Sequence, residues 1–200
     1  MTTRRFAPAG IFLALALLAS GCASATLGGR DGASRAWSFE EPPGTEWSTN
    51  RTFDLGSNRI LGLFNDENPR YPAAASLRLS DIPAGASVTL SFDLYFVGTW
   101  DSSGNLADRW GLEIKGGETL LEMTEFNYAY RNGEKARPQG KRGSLDTGKR
   151  ILQYWIVTHE FTIPPDRIQD GSLTLLFRGD LTGRGTEFWA LDDVRVSVKL

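Results

Sequence analysis

The chain has 200 residues, with 22 Lys and Arg against 24 Asp and Glu and a formal net charge of -2. That length leaves room for one domain of roughly 160 residues after a leader, enough to bury a core without disulfides. The near-neutral balance gives no reason to expect nucleic acid as a partner, and one cysteine in the whole chain rules out a disulfide framework.

Arg4 and Arg5 form a positive start, followed by the apolar run Ile11 to Leu18, which is too short for a permanent membrane span. Ala19, Ser20 and Gly21 then precede Cys22, the sole cysteine. Small residues directly before the only thiol, at the end of an apolar run, resemble the lipobox of bacterial lipoproteins, although Ala19 stands where that family most often has Leu. The resemblance implies a signal peptide over 1–21, acylation of Cys22 and a membrane-tethered mature chain of net charge -4, since Arg4 and Arg5 leave with the leader. It also implies a place in the cell envelope. Ala23 follows the cysteine where Asp would resemble an inner-membrane retention signal, which favours the outer membrane if the host is Gram-negative. Residues 22–35 are small, polar and Gly-rich and are expected to be a flexible tether. The folded domain is expected over 36–200.

Within that domain the periodicity is two, the mark of half-buried strands. Strands are expected at 36–41, 51–55, 59–64 and 75–79. The clearest runs from Ser87 to Val97, where Val88, Leu90, Phe92, Leu94 and Phe96 share one face and Tyr95 lies on the other. Trp110, Leu112 and Ile114 continue the rule, then 119–130, and then Trp155, Val157, His159, Phe161 and Ile163. Leu173, Leu175 and Phe177 precede the final run, 188–198. Gly and Pro turns separate these segments, and no window reads as an amphipathic helix. About ten such strands predict an all-β, two-sheet antiparallel β-sandwich, with a jelly roll as first choice.

In the final run, straight alternation places Asp192 in phase with Phe188, Ala190, Val194, Val196 and Val198. A carboxylate on a buried face must be paired, hydrogen-bonded or metal-bound, unless a bulge turns it outward. Trp37-Ser38-Phe39-Glu40 near one end and Ala190-Leu191-Asp192-Asp193-Val194 at the other are similar to the opening and closing strands of jelly-roll carbohydrate-binding modules and MAM domains. The resemblance implies a galactose-binding-like or concanavalin-like sandwich whose terminal strands lie together. It implies a structural Ca²⁺ held by Glu40 and Asp192; alternation puts Glu41 rather than Glu40 in phase with Trp37 and Phe39, so either glutamate could serve. A second cation site is suggested by Asp101, Asn105 and Asp108, crowded into one loop, although Asx turns account for such residues equally well.

Signs of catalysis are few. No Gly-x-Ser-x-Gly elbow, His-Glu-x-x-His pair or phosphate loop occurs, and His159, the one histidine, shares a face with apolar residues. The expectation is a non-catalytic ligand-binding sandwich, with carbohydrate as the first ligand class and a surface structural or protein-interaction module as the alternative; a polysaccharide-active hydrolase or lyase ranks below both. Tyr95, Trp100 and Tyr128 are the rings expected to stack on sugar. The segment 131–150 is rich in Lys, Arg and Gly, as a solvated loop or a basic arm toward an anionic surface would be.

Overall fold

The computed structural model describes residues 25–26, 32–102, 104–126 and 141–200. Twelve strands follow in chain order: β1 (Ala25–Thr26), β2 (Ser34–Trp37), β3 (Thr52–Asp54), β4 (Arg59–Phe64), β5 (Ala74–Ser80) and β6 (Ser87–Gly98). The second half contributes β7 (Arg109–Ile114), β8 (Thr119–Met123), β9 (Arg142–Asp146), β10 (Ile151–Ile163), β11 (Leu173–Asp180) and β12 (Glu187–Lys199). Short 3₁₀ turns at Gly104–Leu106 and Pro165–Arg167 are the only helical pieces among the described residues.

The strands form two sheets. One runs β1-β5-β11-β7-β8; the other runs β3-β4-β12-β6-β10-β9, with β2 also on β12. Pairing is antiparallel except between β1 and β5. The architecture is therefore an all-β, two-sheet antiparallel sandwich. Ala25 and Thr26 pair with Leu79 and Ser80, and Ser34 and Arg35 pair with Ser197 and Val196, so strand pairing also occurs within 22–35. The expected strand over 36–41 stops at Trp37, and Phe39 takes a left-handed conformation (φ 58°).

β12 is the organising strand. Its first half pairs with β4, its second half pairs with β2, and β6 runs along the other side. Between the halves the register against β6 slips: Asp192 faces Asp93, but Arg195 faces Ser91. Asp193 and Val194 together oppose Phe92, and Asp193 adopts φ 46°, the geometry of a β-bulge. One extra residue reverses which side chains point inward. Upstream of the bulge Trp189 and Leu191 enter the inter-sheet core; downstream Val194, Val196 and Val198 do. Phe188, Ala190 and Asp192 therefore face the outer side of the larger sheet, which corrects the straight alternation expected from the sequence.

That outer side carries its own apolar cluster of Ile60, Leu63, Tyr95, Val97, Leu145, Leu152, Phe188 and Ala190. The main core between the sheets is unusually aromatic. Trp100, Trp110, Trp189, Phe64, Phe92, Phe96 and Phe177 are all essentially inaccessible. Such rings bury large apolar areas and lock the two sheets together. His159 stacks with Phe161 and Trp110, packs at a tilt against Phe92, and is shifted toward its neutral form by burial. It is a packed histidine, as its strand phase suggested.

Candidate metal centre at one end of the sandwich

β6 ends at Gly98, whose φ of 91° and close approach to the Thr186 carbonyl leave no room for a Cβ, which would lie 1.6 Å from that oxygen. Glycine here brings the loop that begins at Thr99 against the start of β12, and Thr99 N donates to Thr186 O at 3.3 Å. Trp100 then turns into the core and its Nε1 donates to Phe188 O at 3.1 Å. The loop is closed by a reciprocal pair. Asp101 N donates to Asp108 Oδ2 at 2.7 Å, and Asp108 N donates to the Asp101 carbonyl at 2.8 Å.

Asp108 also reaches across to the segment between β11 and β12. Its Oδ1 accepts from Thr182 N at 3.0 Å and from Thr182 Oγ1 at 3.3 Å. From the opposite direction Glu187 Oε1 accepts from Thr99 Oγ1 at 2.9 Å. Asn65 braces the same segment through Nδ2, donating to Gly183 O at 2.8 Å and Glu187 O at 2.6 Å.

The outcome is a trio. One carboxylate oxygen from each of Asp101, Asp108 and Glu187 lies within 4.8 Å of the others, the single acidic group of this kind among the described residues. Asp108 and Glu187 are buried and Asp101 is half-exposed. Burial, then mutual repulsion, pushes Asp108 and Glu187 above the usual carboxylate range, against the hydrogen bonds that favour their charged forms. Glu187 Oε2 is buried without a hydrogen bond; the Gly183 amide eases its charge but does not close a bond to it. Carboxylates so arranged can coordinate a divalent cation.

The other expected ligands stand outside this trio. Glu40 is exposed and its Oε1 accepts from Arg59 N at 3.0 Å; Glu41 is exposed. Asp192 is buried on the outer side of the sheet, where Oδ2 accepts from Asn58 Nδ2 at 2.7 Å and Oδ1 from Asp193 N at 2.8 Å. Burial pushes its carboxyl up to about 6, with Asp193 and Asp93 adding repulsion and the two hydrogen bonds opposing. Glu40, Glu41 and Asp192 thus form no acidic trio, and hydrogen bonding is what accommodates Asp192. In the loop cluster Asp101 and Asp108 take part, whereas Asn105 is exposed on the 3₁₀ turn and Glu187 stands in its place. No local spacing links Glu187 to the two aspartates; only the pairing of β6 with β12 brings them together.

Two of the three expected stacking rings, Trp100 and Tyr95, are buried. Trp100 is fully buried against Phe96 and Phe126, at ring separations of 4.8 and 4.7 Å. Tyr95 is 3% exposed, with its ring 5.3 Å from that of Tyr154. Tyr128 and Cys22 lie outside the described residues, as does 131–140 of the basic segment. Among the described residues no Trp, Tyr or Phe is exposed.

Fold and site together define a two-sheet β-sandwich with an acidic, cation-competent cluster in its end loops. Among solved structures the chain is similar to the K1 cleaved adhesin domain of Lys-gingipain from Porphyromonas gingivalis W83, at 17% identity over 83% of this chain and 98% of that one, with a TM-score of 0.40. It is also similar to the K3 cleaved adhesin domain of the same protein, at 16% identity over 65% of this chain and 69% of that one, with a TM-score of 0.31. No protein-family model and no curated protein matches the chain.

Proposed function

We propose that this chain is a non-catalytic interaction module, held at the cell envelope by lipid on Cys22 and presenting its sandwich to a protein partner. The observation that carries this reading is the placement of the aromatic rings: Tyr95 and Trp100, two of the three expected to stack on sugar, are buried inside the fold. Carbohydrate binding, the first expectation from the family likeness, has correspondingly less support. The outer face of the smaller sheet instead offers a groove of about 330 Å³ over Gly111, lined among others by Arg109, Glu113, Glu122, Arg178 and Asp180. Arg178 meets Glu113 at 3.3 Å, and Arg109 meets Glu122 at 3.8 Å, with the arginines more than half exposed. Charges of both signs on a concave surface suit a polar protein surface, where complementarity sets partner choice and approach rate. Two or more acyl chains on Cys22 give a stable anchor, at about 0.8 kcal/mol per buried CH₂. With Ala23 after the cysteine, the anchor favours the outer membrane if the host is Gram-negative. Calcium is the structural ion this reading expects.

The test is crosslinking on intact cells with wild-type chain and an Arg178→Glu variant, beside a glycan array probed with the purified chain. A discrete protein partner lost in the variant, with no glycan retained, supports the reading. Saturable glycan binding with no protein partner would replace it with the carbohydrate reading.

A further inference from the structure

Two of the four buried acids among the described residues have their charge accounted for. Glu46 meets Arg35 at 2.6 Å and the Trp37 indole N–H at 2.8 Å, and both oxygens of Asp192 accept hydrogen bonds. The end-loop trio differs. Among the described residues no arginine or lysine forms an ion pair with Asp101, Asp108 or Glu187. Three carboxylates gathered within 4.8 Å repel one another, and Glu187, only 4% exposed, seals one oxygen away from water with no closed hydrogen bond, the Gly183 amide alone easing its charge. A buried anionic oxygen of this kind calls for a cation.

We infer that Asp101, Asp108 and Glu187 seat one calcium ion, which ties the loop 99–108 to the segment 181–187 and so fixes this end of the sandwich. The donor chemistry selects the ion. All donors are oxygens, with no histidine or cysteine in the group, which excludes the preferences of zinc and other soft metals. Calcium accepts six to eight oxygens in irregular arrangements, whereas magnesium holds to a strict octahedron and keeps several waters. Three carboxylates from two separate segments, two of them buried, match the first pattern. The hydrogen bonds from Thr99, Thr182 and Asp101 N orient Glu187 and Asp108 beforehand, so that little is lost in ordering when the ion arrives.

This inference rests on the reading that the domain takes a structural cation; what it adds is the ion's location and its fastening role. Full-length chain purified in detergent would be titrated with Tb³⁺, whose emission is sensitised by tryptophan (Trp100 adjoins Asp101), and then with Ca²⁺ in competition. Wild type is expected to bind one Tb³⁺ that Ca²⁺ displaces. Asp101→Asn and Glu187→Gln should each weaken binding at least tenfold, and Asp192→Asn should leave it unchanged. Asp101 is half-exposed, so its variant tests the site even if Glu187→Gln fails to fold, with circular dichroism confirming its structure. Binding kept in Asp101→Asn and lost in Asp192→Asn would move the ion to the strand ends and overturn the location alone. No saturable binding to wild type would overturn both the location and the structural cation.

Discussion

Asp192→Asn offers a sharp test of the bulged register. The folded chain holds this carboxyl at about 6, against an ordinary value of 3.8. Two pH units of difference correspond to about 3 kcal/mol. The sign follows from proton binding. Well below pH 4 Asp192 is protonated in both states and costs nothing. Between roughly pH 4 and pH 6 the unfolded chain loses this proton while the folded chain keeps it, so stability falls as pH rises, and above 6 the full cost is present. Asn carries no charge and removes that slope. It also sets an amide N–H₂ against one of two donors, Asn58 Nδ2 or Asp193 N, a penalty of about 1–3 kcal/mol that does not vary with pH. The assay is urea unfolding of both chains from pH 4 to pH 7.5. The difference between the curves, in which Asp108, Glu187 and Asp66 cancel, is expected to change by about 2 kcal/mol over that range, the remainder lying below pH 4. Parallel curves would show that Asp192 is not buried as described, and the bulge that places it there would fall with it.

Three further substitutions address other joints of the structure. Trp100→Ala should cost about 3–5 kcal/mol in urea unfolding because the ring is wholly enclosed, whereas Trp100→Phe should lose roughly 1–3 kcal/mol by leaving the Phe188 carbonyl without its donor; an unchanged midpoint for the alanine variant would contradict the burial. Gly98→Ala should lower both the melting temperature and Tb³⁺ affinity, since a Cβ would strike the Thr186 carbonyl and push the loop away from Glu187; wild-type behaviour in both would refute the close approach. Cys22→Ser should shift the chain from the membrane fraction to the soluble fraction, and retention in the membrane would remove the lipid from the account.

The sandwich was legible because alternation survives wherever a strand has one wet and one dry face. Val88 to Phe96 fell on the core side as their spacing required, and Ser34 to Trp37 lie beside β12. Two features were not legible. The bulge at Asp193 carries no sequence signature beyond a pair of aspartates, yet a one-residue slip exchanges the two faces of a strand, and with it the meaning of Asp192. Burial on the outer side of the larger sheet was equally hidden. Tyr95 sits in the polar phase of β6 but is covered by the second apolar cluster. Of the metal centre, Asp101 and Asp108 could be read from one loop, while Glu187 required knowing that β12 runs along β6 from Glu187 opposite Gly98.

The most direct measurement is a crystal structure of the chain grown with calcium and recorded at long X-ray wavelength, where calcium scatters anomalously. The account predicts one strong anomalous peak among the carboxylates of Asp101, Asp108 and Glu187, with Glu187 Oε2 among its ligands. A peak beside Asp192 and Glu40, or none at the end-loop trio, would contradict it.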